Sequence, residues 1–310
     1  MVVRMAGLDA WVRVVRAKFW LAGIPPVILG VAVSWYLVRM FSLPYFLLTL
    51  LGVIFAMVGC YTFNEYFDFK SGVDLAVKNE DITPFNAGSR VLPEGLIKPF
   101  SVFRVGIVSW ILTFVVAFYL TLVRGLLVFS LALVGFFMGA FYTSPPFKWA
   151  YRGLGEILIG LTYGPLITFG SCYVQLASLP FKMIILPSLV SGLLITAVIW
   201  INEFPDYHAD KKAGKNNLVV RMGKEKAVNI YVFLLIAPYL ILVLGVLLRL
   251  LPYITLLTFL TFPLAYKNMV TAKKKYGKSK ELIPVMERTI LLFVLFTLLL
   301  AVEYILSTLL

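Results

Sequence analysis

The sequence predicts an all-α integral membrane protein: a bundle of nine transmembrane helices with its acidic loops on the cytoplasmic side. Three observations carry that prediction. The 310 residues are 61% hydrophobic and 14% charged, with a mean hydropathy of +0.94, which is far more apolar than an ordinary water-soluble domain. The apolar residues come in runs near the roughly 20 that a helix needs to cross a bilayer. The charges fall between those runs, and nearly all the positive ones fall on one side of the implied membrane.

The runs occupy 19–40, 44–63, 100–122, 125–143, 154–178, 182–201, 228–248, 251–266 and 287–308. The eighth is the shortest and abuts Pro252 and Pro263, so its limits are set by residues that interrupt helices. Eight or ten spans also satisfy the pattern. No small-residue cleavage site follows the first run, so that helix is expected to stay in the mature chain. The chain, 1–310, reads as a single transmembrane domain in the lipid bilayer.

Nine spans divide the 28 Lys and Arg unequally. One side takes 24 of them, including Arg4, Arg13, Arg16 and Lys18 before the first span; the other takes only Arg39, Arg124, Lys182 and Arg249. The positive-inside rule then puts the amino terminus in the cytoplasm and the carboxyl terminus outside a cell membrane. A net charge of +13 arranged this way reads as topology and excludes a nucleic-acid groove. The run Lys273–Lys275 reads as an anchor to anionic lipid. Cys60 and Cys172 lie inside apolar runs with no partner spacing, which supports neither a disulfide framework nor a metal knuckle.

Two of the cytoplasmic connections, 64–98 and 202–226, are long and rich in both signs of charge. The first opens Asn64-Glu65-Tyr66-Phe67-Asp68 and continues to Asp74; the second opens Asn202-Glu203-Phe204-Pro205-Asp206 and continues to Asp210. Asn64 and Asp68 are four apart, as are Asn202, Asp206 and Asp210, so on persisting helices each set shares a face. Gly72 can break the first helix and bring the Asp74 carboxylate back. One such cluster is an ordinary set of headgroup-level charges. Its recurrence four spans later is not, because carboxylates gathered at matching depth repel unless cations neutralise them. Hard oxygen ligands with no His or Cys cluster imply Mg²⁺, which keeps waters and shares phosphate oxygens, and hence a phosphorylated ligand. Arg90, Lys148, Arg152, Lys211 and Lys215 lie in the same connections and suit diphosphate oxygens. Lys148 and Arg152 are the best placed, in the short connection that begins at Tyr142. His208, the single histidine, falls between two acids and is read as a neighbour facing away.

At these residues the chain resembles the UbiA superfamily of intramembrane prenyltransferases, whose signature is an Asn-x3-Asp motif after the second helix and an Asp-x3-Asp motif after the sixth. Asn64 to Asp74 has the longer spacing that resembles the branch prenylating 1,4-dihydroxy-2-naphthoate for menaquinone. So do Tyr151 to Glu156, Gly164-Pro165-Leu166, Tyr173-Val174-Gln175, Asp206 to Gly214 and Asn86 to Gly95. Two departures stand out: Glu65 replaces the Asp of many members, and Asn216-Asn217 replaces an Arg-Thr pair, removing a possible diphosphate contact.

The resemblance implies an enzyme that moves a prenyl group from a prenyl diphosphate to an aromatic acceptor. Asp68, Asp74, Asp206 and Asp210, with Asn64 and Asn202, are then expected to hold two Mg²⁺ ions. Asn64, Arg90, Tyr142, Lys148, Arg152, Asn202, Lys211 and Lys215 are expected to contact substrate. Phe63, Tyr66, Phe67, Tyr142, Tyr163 and Tyr207 are candidates to line the site of an allylic cation. The competing readings are a sibling enzyme with a hydroxybenzoate, haem or geranylgeranylglyceryl phosphate acceptor, a membrane transporter, and a non-catalytic assembly factor. A transporter would place its acids at mid-bilayer.

Overall fold

The computed structural model describes residues 7–309, so Arg4 lies outside the described residues. Among these the chain is helical, with no strand. The helices are α1 (Leu8–Val14), α2 (Ile24–Val38), α3 (Leu43–Ser71), α4 (Val73–Ala76), α5 (Pro99–Arg124), α6 (Leu127–Ala140) and α7 (Gly155–Leu161). They continue as α8 (Ile167–Leu176), α9 (Phe181–Lys212), α10 (Leu218–Met222), α11 (Lys224–Leu247), α12 (Phe262–Lys275) and α13 (Ile283–Leu306).

Seven stretches among the described residues are long and apolar enough to cross a membrane: Leu8–Val38, Leu43–Ser71, Pro99–Arg124, Gly155–Leu176, Phe181–Lys212, Lys224–Leu247 and Ser279–Leu306. The expected fourth and eighth spans are the two that differ. Gly125, at φ 111°, stops α5, and α6 gives way to the Thr143–Pro146 turn, leaving 14 residues and about 21 Å of helix. The 251–266 run is a 3₁₀ stretch, Tyr253–Thr261, followed by α12. Pro252 precedes the first piece and Pro263 begins the second, where a missing N–H costs nothing. End to end the two pieces rise about 39 Å.

Helices α3 and α9 do most to place the acids. They are 29 and 32 residues long, about 44 and 48 Å, and so outrun a hydrocarbon core of about 30 Å. Asp68 stands 25 residues from the start of α3, and Asp206 stands 25 residues from the start of α9. Helical continuity past the apolar zone therefore carries both motifs to one height. Gly72, at φ +80°, ends α3 and turns the chain into α4, which brings Asp74 under Asp68.

The largest core joins α2, α9, α11 and α13 through Phe204, Tyr231, Phe293, Phe296 and Tyr304, all fully buried. In lipid, burial of apolar groups gives no net hydrophobic gain between helices, and close packing has to hold them together. The α7–α9 crossing shows this. A Cβ on Gly164 would lie 2.5 Å from Gly192 Cα and 2.6 Å from the Ser188 carbonyl, and one on Gly192 would lie 2.7 Å from the Gly160 carbonyl. Pro165 lies inside the π turn Thr162–Leu166 that links α7 to α8 at this crossing. Gly164→Ala should therefore destabilise the detergent-solubilised protein by about 1–3 kcal/mol. Gly170→Ala, whose Cβ meets only Leu131 Cδ1 at 3.7 Å, should change stability by less than about 0.5 kcal/mol. Thermal unfolding of the two variants compares them directly, and equal losses would rule out the glycine crossing as the point of tight packing.

Candidate active site

The carboxyl-terminal ends of α3 and α9 bring the two acidic motifs face to face. Lys215 lies between them, its Nζ 3.9 Å from Asp68 Oδ2 and 3.7 Å from Asp210 Oδ1. Burial alone would lower the Lys215 ammonium. The Asp210 and Asp68 carboxylates more than offset it, with Tyr142 and Asp206 adding to them, so the lysine is held protonated well above its ordinary range.

Asn64, Asp68, Asp206 and Asp210 each have an orienting partner on a loop. Thr143 Oγ1 donates to Asn64 Oδ1 at 2.5 Å, and Tyr151 donates to Asp68 Oδ1 at 3.4 Å. Asn86 Nδ2 donates to Asp206 Oδ1 at 2.6 Å, and Asn217 Nδ2 donates to Asp210 Oδ2 at 2.8 Å. Burial, and then the neighbouring Asp68, push the Tyr151 phenol up to about 12, which keeps it a donor. Asn217 is fully buried and also caps α10, its Oδ1 accepting the Val220 N–H. Leu218 N–H in turn is held by the buried Glu156 carboxylate at 2.5 Å.

Several oxygens are left over. Asp74 Oδ2, Asn202 Oδ1 and Asp210 Oδ1 are buried without a hydrogen-bond partner. Burial, then the nearby Asp68 and Glu65 charges, raise the Asp74 carboxyl well above its usual range, against the opposing pull of Arg16 and Lys215. Among the described residues no three His, Cys, Asp or Glu side chains converge tightly enough to hold an ion alone. That donor set fits Mg²⁺, which takes one or two carboxylates and completes its shell with water and substrate phosphate.

The other expected residues divide. Tyr142 is in place, beside Glu203 and Lys215. Lys148 Nζ lies 5.2 Å over the Tyr151 ring, at the rim. Arg90 donates to the main-chain carbonyl of Asp74 at 2.7 Å and so fixes the turn that presents that acid. Arg152 and Lys211 are exposed and are not gathered in: Arg152 donates to the Pro146 carbonyl at 3.4 Å, and Lys211 projects from the end of α9. His208 is exposed. Phe63, Tyr66 and Phe67 pack on Phe103 of α5, because they occupy a different face of α3 from Asn64 and Asp68. Tyr207 lies under Lys224.

Glu65 and Glu203 do not repeat one another, although the motifs do. Glu65 is fully buried and accepts from Ser89 N–H, Ser89 Oγ and Arg16, clamping the 88–90 loop above Asp74. Gly88 makes that approach possible: a Cβ there would lie 2.6 Å from Asp74 Oδ2. Glu203 is buried beside Glu156 on the other side. Asn86, Asn217, Thr143, Tyr151 and Glu156 were not expected as site residues. Asn217, a residue with good capping chemistry directly before Leu218-Val219-Val220, carried a readable signal; the others act across gaps of 79 to 120 residues or through the backbone.

Beneath the acids a cavity of about 180 Å³ runs between α3, α5, α6, α7 and α8. Tyr142, Tyr163 and Cys60 line its upper end, and Leu48, Leu120 and Val128 its lower end. Thr49, Thr113 and Ser171 turn their hydroxyls back on their own helices, to the Tyr45, Ser109 and Ile167 carbonyls, while Thr162 Oγ1 donates to Met138 Sδ and the Tyr163 hydroxyl meets that of Tyr61, so the surface offered is mostly apolar.

The UbiA prenyltransferase family model matches residues 23–287, and the chain belongs to that family. It is 27% identical over 209 residues to a 1,4-dihydroxy-2-naphthoate octaprenyltransferase of Bacillus subtilis, a match covering 67% of this chain and 64% of that protein. It is 26% identical to a 2-carboxy-1,4-naphthoquinone phytyltransferase of Synechocystis, covering 82% and 80%. Its fold is that of a UbiA homolog from Archaeoglobus fulgidus solved with DMAPP and Mg²⁺ (TM-score 0.62, 18% identity, 94% of this chain and 99% of that one). A UbiA homolog from Aeropyrum pernix K1 is similar in the same way (TM-score 0.65, 16% identity, 90% and 95%).

Lys215→Met removes the cation that, among the described residues, ion-pairs with both motifs. It should lower the stability of the metal-free protein by about 3 kcal/mol, because the facing carboxylates are left unneutralised. Added Mg²⁺ should restore most of the loss in a thermal-unfolding assay. An unchanged melting temperature without metal would show that the lysine does not hold the motifs together.

Proposed function

We propose that this chain transfers a prenyl group from a prenyl diphosphate to an aromatic acceptor, and that the acceptor is 1,4-dihydroxy-2-naphthoate. The observation that carries the reading is the pairing of two facing acid clusters, with unpartnered oxygens, and an apolar chamber directly beneath them. The similarity to naphthoate prenyltransferases supports the acceptor. A UbiA neighbour solved with Mg²⁺ and DMAPP supports the donor chemistry.

Asn64, Asp68, Asp74, Asn202, Asp206 and Asp210 would hold two Mg²⁺ ions, which supply the positive charge that makes the diphosphate a leaving group. Asn86, Asn217, Thr143 and Tyr151 keep the ligand oxygens aimed. Lys215 releases the carboxylates and donates to non-bridging diphosphate oxygens. As the carbon–oxygen bond of the donor breaks, the allylic cation sits beside Tyr142 and Tyr163, whose π faces and bulk stabilise it and exclude water. The ring carbon bearing the carboxylate would attack the cation to form the new carbon–carbon bond; the carboxylate then leaves as carbon dioxide, its bonding pair restoring the aromatic ring, and diphosphate is the donor's leaving group. The tail lies in the chamber. Surrounding lipid is as apolar as the chamber wall, so the chamber contributes alignment more than affinity.

The whole of 1–310 is read as one domain in a cell membrane, crossing it nine times with α6 and the 253–275 pieces included. The amino terminus and the acids then face the cytoplasm, and the carboxyl terminus lies outside.

The test is product formation from geranylgeranyl diphosphate and 1,4-dihydroxy-2-naphthoate by the purified protein, with Mg²⁺ or with a chelator. Turnover should require Mg²⁺, and Asp68→Ala and Asp206→Ala should each lose about 10²–10³-fold. Diphosphate release without the naphthoate product would move the acceptor to a hydroxybenzoate, haem or geranylgeranylglyceryl phosphate. Full activity in the chelator would contradict the mechanism.

A further inference from the structure

We infer that the connector between α12 and α13 is a docking surface for anionic lipid headgroups, and that lipid bound there steadies the loop that aims Asp206; the second half rests on the reading of Asp206 as a metal ligand. From 267 to 288 seven residues are Lys or Arg and two, Glu281 and Glu287, are acidic, so the stretch carries a net charge of +5. Glu281 is taken up by Lys275 and by Lys278, the latter at 2.8 Å. Lys267, Lys273 and Lys274 are exposed and, among the described residues, make no ion pair. The connector leads straight into the apolar stretch Ser279–Leu306, so its lysines stand where the headgroups of a bilayer begin. Tyr266, 59% exposed on α12, suits the same boundary. Positive charge at that height meets anionic lipid before any other partner, because the lipid is always within the short range over which the attraction acts.

The connector is fastened to the candidate site by an unbroken series of hydrogen bonds. Ser279 Oγ donates to Asp81 Oδ1 at 2.5 Å, and Lys280 Nζ donates to the Ile82 carbonyl. Thr83 Oγ1 lies 3.9 Å from the sulfur of the fully buried Met286 on α13. Asn86 closes the same turn: its Oδ1 accepts from the Thr83 N–H at 2.6 Å and from Thr83 Oγ1 at 2.8 Å. Its Nδ2 donates to the Asp81 carbonyl at 3.1 Å and to Asp206 Oδ1 at 2.6 Å. An amide group has two hydrogens to give, and both are used, so Asn86 cannot turn without releasing either Asp81 or Asp206. The chain from 77 to 98 is irregular, and contacts of this kind are what give it its order. A lipid that holds the connector still therefore holds Asp81, and through Asn86 it holds the Asp206 carboxylate.

The test places the full-length protein in phosphatidylcholine vesicles with and without phosphatidylglycerol. It reads amide hydrogen exchange at 81–86 and, separately, Mn²⁺ affinity in the presence of inorganic diphosphate. Phosphatidylglycerol should slow exchange at Thr83 and Asn86 and tighten Mn²⁺ binding, each by about fivefold or more. Both effects should shrink as salt is raised, and Lys273→Gln with Lys274→Gln should remove them. Ser279→Ala should reduce both effects with every lysine still in place, and should it not fold, Asp81→Ala cuts the same contact. Equal exchange in the two bilayers would overturn the inference, and so would glycerol phosphate in solution acting as well as the lipid. Slowed exchange with unchanged Mn²⁺ affinity would overturn the link to Asp206. Slowed exchange with no Mn²⁺ bound in either bilayer would uphold the docking surface and overturn the metal reading on which the link rests.

Discussion

The structure depends on how carboxylates of like charge are held together at the end of an apolar bundle. Asp68, Asp74, Asp206 and Asp210 cannot all be ionised at close range without positive charge among them. Among the described residues one cation, Lys215, lies within 4 Å of an acid from each motif. The fold leaves Asp74 Oδ2 and Asn202 Oδ1 buried without a hydrogen-bond partner, and Asp210 Oδ1 with only the Lys215 ion pair, which is a cost a folded protein carries where those oxygens have another use.

The remainder of the fold makes that arrangement possible. Two helices longer than the bilayer core bring the motifs to the same height, and glycine-mediated contact at Gly164 and Gly192 fixes α7 against α9. The loops then do what helices cannot. The 81–91 loop delivers Asn86 to Asp206, and its Ser89 is clamped by Glu65. The 213–218 turn delivers Lys215 and Asn217, with Glu156 holding its backbone. Clustering at helix ends is also what separates this site from a carrier, whose acids belong at mid-bilayer.

Much of this was legible in the sequence, for identifiable reasons. Four-residue spacing is a local property of a helix, so the shared faces of Asn64 with Asp68 and of Asn202 with Asp206 and Asp210 could be read directly. Hydropathy gave the long spans, and it was least decisive at 125–143 and 251–266, where glycine and proline break what composition alone makes continuous. Partners that meet through tertiary contact were not readable: Asn86 and Asp206 are 120 residues apart. Basic residues were over-assigned for the same reason. Sequence places Arg152, Lys211 and Lys215 in cytoplasmic loops alike, and only the fold turns Lys215 inward and leaves the other two in solvent. The Asn216-Asn217 pair reads in sequence as the loss of a diphosphate contact, whereas in the fold Asn217 holds Asp210 and caps α10.

The central claim is that the two motifs form one site for the proposed metal ions and the diphosphate. A double-mutant cycle with Asp68→Asn and Asp210→Asn, read as Mn²⁺ affinity by electron paramagnetic resonance in the presence of inorganic diphosphate, tests it most directly. If both acids serve one site, the double variant should lose far less affinity than the two single losses added together. Additive losses would mean that the motifs bind independently, and the single-site account would be wrong.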